Sequence, residues 1–138
     1  MEGTKLSFIR NNPLIHLQVE ADFIRKNYDW LKIKIANKMI FGKGSLMVDG
    51  VLFEIEIKYS PFLGARMDRI TIVNHKISFN HEIHVYEDLT LCLYHPVIDK
   101  PFFGVVPLHK MIPWISEWCH FYGLWKKYGV WLAPEVKH

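Results

Sequence analysis

Apolar and polar residues alternate along three stretches of the chain. Leu31, Ile33 and Ile35 interleave with Lys32 and Lys34. Phe53, Ile55, Ile57 and Tyr59 interleave with Glu54, Glu56 and Lys58. Ile70, Ile72 and Asn74 interleave with Arg69, Thr71 and Val73, over residues 69–75. A period of two with one polar face predicts half-buried antiparallel strands, the Lys/Glu side being the solvated one. Leu46 and Val48 predict a further strand, and Asp49-Gly50 before Val51 is a strong hairpin signal. The intervals are short, so a four-stranded meander is the simplest topology.

The pattern changes at both ends. Over residues 12–27, Leu14, Leu17, Val19, Phe23 and Ile24 form a rough helical stripe. Asn12 stands as N-cap, Pro13 in the first turn and Asn27 as the stop. Over residues 107–128, Met111, Ile112, Ile115, Trp118, Cys119, Tyr122 and Trp125 recur every three or four positions. Pro107 can start this helix, Pro113 is expected to delay its regular part until near Ile112, and Gly129 to end it. Trp114, Trp118, Trp125 and Trp131 form an aromatic stripe of the kind that is usually core, the better reading for Trp118 and Trp125; at an exposed edge such a stripe could instead dock a partner. Between sheet and second helix, residues 79–106 form a long connection of low regularity, and such connections are often functional. The prediction is an α+β fold: an antiparallel four-stranded meander, an N-terminal helix and a C-terminal Trp-rich helix, in one domain over residues 1–138.

Composition narrows the function classes. Of 138 residues, 50% are hydrophobic, which suits a packed core rather than a disordered chain. The net charge is only +3 and no block of basic residues exists, so nucleic acid is not an expected partner. No apolar run is long enough to span a membrane, and residues 1–13 lack the apolar core of a secretory signal. The 2 cysteines make no disulfide framework; two free thiols in the cytoplasm are expected.

The candidate chemistry lies in NHEIHVYEDLTLCLYHP, residues 80–96. Cys92 is flanked by His81, His84 and His95, with His75 just upstream. A thiol is nucleophilic as thiolate, and nearby histidines can take its proton. The same residues allow two other readings. Leu91-Cys92-Leu93 also suits a buried small hydrophobe. His-x2-His-x7-Cys-x2-His would also suit a zinc ion. Asp88 is read as a turn residue and Cys119, on the helix stripe, as core.

The order of helix, meander, cysteine segment and helix resembles the ubiquitin-conjugating enzyme family. Tyr59-Ser60-Pro61-Phe62 is similar to the Tyr-Pro-Phe turn after that family's third strand, and His81 precedes Cys92-Leu93 as the histidine of a His-Pro-Asn motif does. HVYEDLTLCLYHP and IPWISEWCHFYGLWKKYGVWL are similar to the small conjugating-enzyme-like proteins of short type II CBASS antiphage operons. The resemblance covers roughly residues 14–133, and the Trp-rich helix is its more specific part.

It implies an acyltransferase without cofactor or metal. Cys92 would carry a partner's C-terminal carboxyl as a thioester, with His81 first and His95 second as thiolate partner or proton shuttle. The implied partner is the C-terminal tail of the operon's CD-NTase, a cyclic-nucleotide synthase. Asp99 stands where some relatives place an acidic gate residue. Glu82-Ile83 replaces the motif's Pro-Asn, so an oxyanion donor has to come from elsewhere. The alternative is an inactive module of the same fold that holds its partner non-covalently.

Overall fold

The computed structural model describes residues 12–63, 66–93 and 106–132. Helix α1, Pro13–Asn27, is followed by strands β1 (Leu31–Ala36), β2 (Met39–Val48), β3 (Val51–Tyr59) and β4 (Asp68–Ile72), then by helix α2 (Leu108–Tyr128). The strands form one antiparallel sheet in the order β1-β2-β3-β4, the expected meander.

Turn chemistry sets the register. Asp49 and Gly50 both have positive φ, as a two-residue type I′ hairpin requires, and Val48 faces Val51 across them. Asn37 and Lys38 do the same between β1 and β2, with Ala36 facing Met39. β4 ends earlier than the alternation predicts because a side chain takes over its ladder. Asn74 accepts from the Glu54 N–H at 2.8 Å and donates to the Leu52 carbonyl at 2.9 Å.

One face of the sheet is the core side. Leu31, Ile40, Phe53, Ile55, Ile57, Tyr59, Ile70 and Ile72 are buried there, while Lys32, Lys43 and Lys58 stand exposed on the other. Gly44 lies on the core side, where an added Cβ would collide with the Trp30 backbone carbonyl and ring. A backbone atom cannot step aside cheaply. Gly44→Ala is therefore expected to cost about 1–3 kcal/mol, read from the urea midpoint. An unchanged midpoint would show that β1 and its preceding turn yield freely.

α1 differs from its predicted stripe. Its buried face is His16, Leu17, Glu20, Ala21 and Ile24, whereas Leu14, Val19 and Phe23 are exposed. The helix sits rotated so that two polar side chains face inward, because each finds a partner there. His16 Nε2 lies 2.9 Å from the Tyr59 hydroxyl, which donates to the Val106 carbonyl at 3.3 Å. Glu20 accepts the His109 backbone N–H at 2.9 Å and meets His109 Nδ1 at 3.0 and 2.9 Å. It thus supplies, from another helix, an acceptor for one of α2's orphan N-terminal donors. Asn12 at the start of α1 makes no side-chain capping bond; its carbonyl accepts from His16.

Burial holds the His16 pKa below its ordinary 6.5, against the raising effect of Glu20 and with a further lowering effect from His109. Folding thus selects the neutral imidazole. The stability it contributes is intact above about pH 6.5 and is lost as pH falls through the lower folded value. Urea midpoints should drop on acidification, and His16→Gln, which keeps a donor without a titrating ring, should blunt that drop. A His16→Gln profile superimposable on the parent's would remove His16 as the source.

α2 begins at Leu108, earlier than Pro113 led one to expect. The proline sits near the N-terminal end, where the helix continues through its missing N–H. Gly129, at φ 77°, closes the helix with its N–H on the Trp125 carbonyl at 2.8 Å.

Candidate active site

After β4 the chain makes one short 3-10 turn, His81–Ile83, and then a small hairpin. Asn80 starts the turn by accepting the Glu82 N–H at 2.8 Å. Ile83 is buried, and its carbonyl accepts the Trp118 indole N–H at 2.8 Å. His84 then adopts a left-handed conformation and starts the outgoing arm of the hairpin.

The hairpin arms pair through Val85 and Leu91. The Tyr86 N–H bonds the Thr90 carbonyl at 2.9 Å, and the Cys92 N–H bonds the His84 carbonyl at 2.9 Å. Asp88 shapes the tip as a turn residue: its Oδ1 accepts the Thr90 N–H at 3.0 Å and the Thr90 hydroxyl at 2.6 Å. The Leu91 N–H bonds the Ile70 carbonyl at 2.8 Å, which docks the returning arm against β4.

Pairing of this kind assigns faces. Val85 and Leu91 are buried in the core. By alternation, His84, Tyr86, Thr90 and Cys92 share the opposite face. Cys92 is half-buried there, whereas Cys119 is buried within α2, and neither is bridged. Burial pushes the Cys119 thiol up to about 12, which leaves it protonated and inert near neutrality. The expectation that Cys119 is core holds.

A charged cluster from the β3–β4 connection packs against the same face. The Arg66 guanidinium lies 3.5 Å from the centre of the Tyr86 ring. Its nitrogens reach Thr90 Oγ1 at 3.0 Å, Asp88 Oδ2 at 3.1 Å and the buried Asp68 carboxylate at 3.9 Å. Arg69 lies 3.8 Å from Asp88. Burial acts to raise the Asp88 pKa, but bonds from Thr90 and the charges of Arg66 and Arg69 outweigh it and hold the carboxyl below its usual range. Arg66, Asp68 and Tyr86 carry no motif that marks them in advance. Their only trace in the sequence is Tyr86 alternating with Val85 ahead of the turn.

Of the sequence-predicted histidines, His84 faces Cys92 across the hairpin arms. His81 is exposed on the 3-10 turn, its ring edge-on to Phe79 at 5.0 Å. Among the described residues no hydrogen bond or ion pair joins it to Cys92. The His84 ring lies 5.2 Å from that of Trp131. His75 stacks on Phe53 at 4.5 Å and bonds the Leu52 carbonyl, away from the hairpin. His95 and Asp99 lie outside the described residues. Among the described residues no group of three or more His, Cys, Asp or Glu side chains converges as a metal site. Trp118 is core as expected, 3% exposed, while Trp114, Trp125 and Trp131 are partly buried against that core.

No helix among the described residues is long and apolar enough to cross a membrane. No curated protein and no solved structure matches the chain. The model of a family described as Type II CBASS E2 protein matches residues 20–138, a span that takes in the sheet, the cysteine hairpin and the Trp-rich helix. The chain therefore belongs to the type II CBASS E2 family, the E2-like proteins of CBASS antiviral defence.

Proposed function

We propose that this protein is an acyl carrier of the ubiquitin-conjugating type, acting through Cys92. The observation that carries the reading is the contrast between the two thiols: Cys92 is half-buried on the hairpin face, Cys119 sealed in the core. The order of helix, meander, cysteine hairpin and helix supports a ubiquitin-conjugating-like fold, with residues 1–138 as one domain. The Cys92 thiolate attacks the carbonyl carbon of an activated C-terminal acyl group. A sulfur–carbon bond forms, and the bond to the leaving group, the phosphate of an acyl adenylate or the sulfur of a donor thioester, breaks with its electron pair. His81 or His95 takes the thiol proton. The thioester then passes to an amine, a thiol or water. The partner is a protein C-terminus, that of the CD-NTase encoded beside it.

A second reading is a non-catalytic module that binds the same partner. One observation favours it: Ile83 fills the core where the motif has asparagine, and the nearby Asn80 is committed to capping its own turn. Intact mass of the protein, co-expressed with its CD-NTase and purified without reductant, separates the two. A covalent adduct released by thiol supports the carrier. Co-purification with unmodified mass at every time point supports the binding module and rejects the carrier.

A further inference from the structure

The hairpin brings a second functional group to Cys92. Tyr86 and Cys92 stand on the same face of opposite arms, one diagonal step apart, within reach of an aromatic side chain. The Tyr86 hydroxyl is buried, and no hydrogen bond of normal geometry reaches it among the described residues. A buried donor without a partner costs stability, and the Cys92 sulfur is the acceptor that the hairpin sets beside this one. The ring itself is held in place. Arg66 stacks on it at 3.5 Å and is fixed in turn by Thr90 and Asp88, two residues of the same hairpin.

We propose that the Tyr86 hydroxyl donates a hydrogen bond to the Cys92 sulfur, stabilising the thiolate, and that Arg66 positions the ring for it. The inference deepens the acyl-carrier reading and rests on Cys92 being the nucleophile. Tyr86 does not act as a base. Burial first, and then the neighbouring Cys92, push its pKa well above the ordinary 10, so the phenol keeps its proton throughout. A hydrogen bond to a charged acceptor stabilises that acceptor more than its neutral form. Tyr86 thus favours the thiolate before attack and is still protonated when the sulfur leaves the thioester. Arg66 adds positive charge over the ring and is itself paired with Asp68 and Asp88.

The test is the pH dependence of Cys92 alkylation by iodoacetamide on the full chain, with the modified cysteine located by peptide mass. In Tyr86→Phe, which keeps the ring under Arg66 and removes only the hydroxyl, the apparent thiol pKa should rise by about one unit. Alkylation at pH 7 should then slow roughly tenfold, as the thiolate fraction falls. Should Tyr86→Phe fail to fold, Arg66→Lys serves instead. It retains the charge but loses planar stacking, and it should slow alkylation in the same direction. A folded variant with the parent's pH profile overturns the proposal. The assay needs no partner or acyl donor, so its failure is distinct from failure of the carrier reading. An adduct that forms normally beside an unchanged alkylation profile rejects Tyr86 alone. A shifted profile with no adduct under any condition leaves Tyr86 tuning a thiol that is not an acyl carrier.

Discussion

On the carrier reading proposed above, replacing Cys92 with alanine is expected to abolish a thiol-labile conjugate between this protein and the CD-NTase C-terminus. No other side chain among the described residues offers an equivalent sulfur, because Cys119 is buried and its thiol is held protonated. Cys92→Ser makes the more informative partner experiment. Serine oxygen is a weak nucleophile at its own pKa, so less product should form. What forms should be an oxyester that survives thiol treatment. Cys119→Ser should leave the conjugate's yield per folded molecule unchanged. Intact mass before and after thiol treatment reads all three. A reducible adduct that persists in Cys92→Ala would falsify the assignment outright. The fold predicts that Cys92→Ala remains folded, since the Cys92 backbone N–H, not its side chain, makes the bond to the His84 carbonyl.

The second large effect should come from Trp118, on the helix beneath the site. Its side chain is 3% exposed, stacks on Tyr122 with ring centres 4.9 Å apart, and donates to the Ile83 carbonyl at 2.8 Å. Trp118→Ala removes a large buried ring and leaves that carbonyl without its indole donor. Truncations of this size cost about 3–5 kcal/mol, a large share of a small domain's stability. Trp118→Phe keeps most of the ring and loses the N–H, so it should cost less, about 1–3 kcal/mol. Urea unfolding at pH 7 gives both numbers. The consequence reaches the thiol, because the indole also lies 3.3 Å from the His84 carbonyl, which pairs with Cys92. Conjugate yield per folded molecule should therefore fall in Trp118→Ala more than in Trp118→Phe. A stability loss below about 1 kcal/mol for Trp118→Ala would place it among ordinary surface changes and rule out the anchoring role.

Four strands, two helices and the Asp49-Gly50 hairpin were legible in the chain itself. Those features rest on local physics: a side-chain period of two or about 3.6, positive φ at a turn, glycine at a helix end. Each needs only residues adjacent in sequence. Cys92 and residues 80–96 stood out as the candidate site for the same reason, as a local concentration of thiol and imidazole groups. Local pattern also misled where partners are distant. The face of α1 looked to be Leu14, Leu17, Val19, Phe23 and Ile24; Leu17 and Ile24 are buried, yet the helix turns His16 and Glu20 inward beside them because Tyr59 and His109 satisfy them. A polar residue's cost of burial depends on a partner that may lie anywhere in the chain, and no periodicity encodes that. The same holds at the thiol. Proximity in sequence put histidines forward as its neighbours, and His84 does face it across the hairpin; folding adds Tyr86 on the same face, with Arg66, carried in by the β3–β4 connection, stacked on that ring. The sequence by itself determined which elements form and put Cys92 forward as the candidate nucleophile. Tertiary structure alone decided which groups surround that thiol, because antiparallel pairing sets side-chain faces and docking against β4 sets which distant charges meet them.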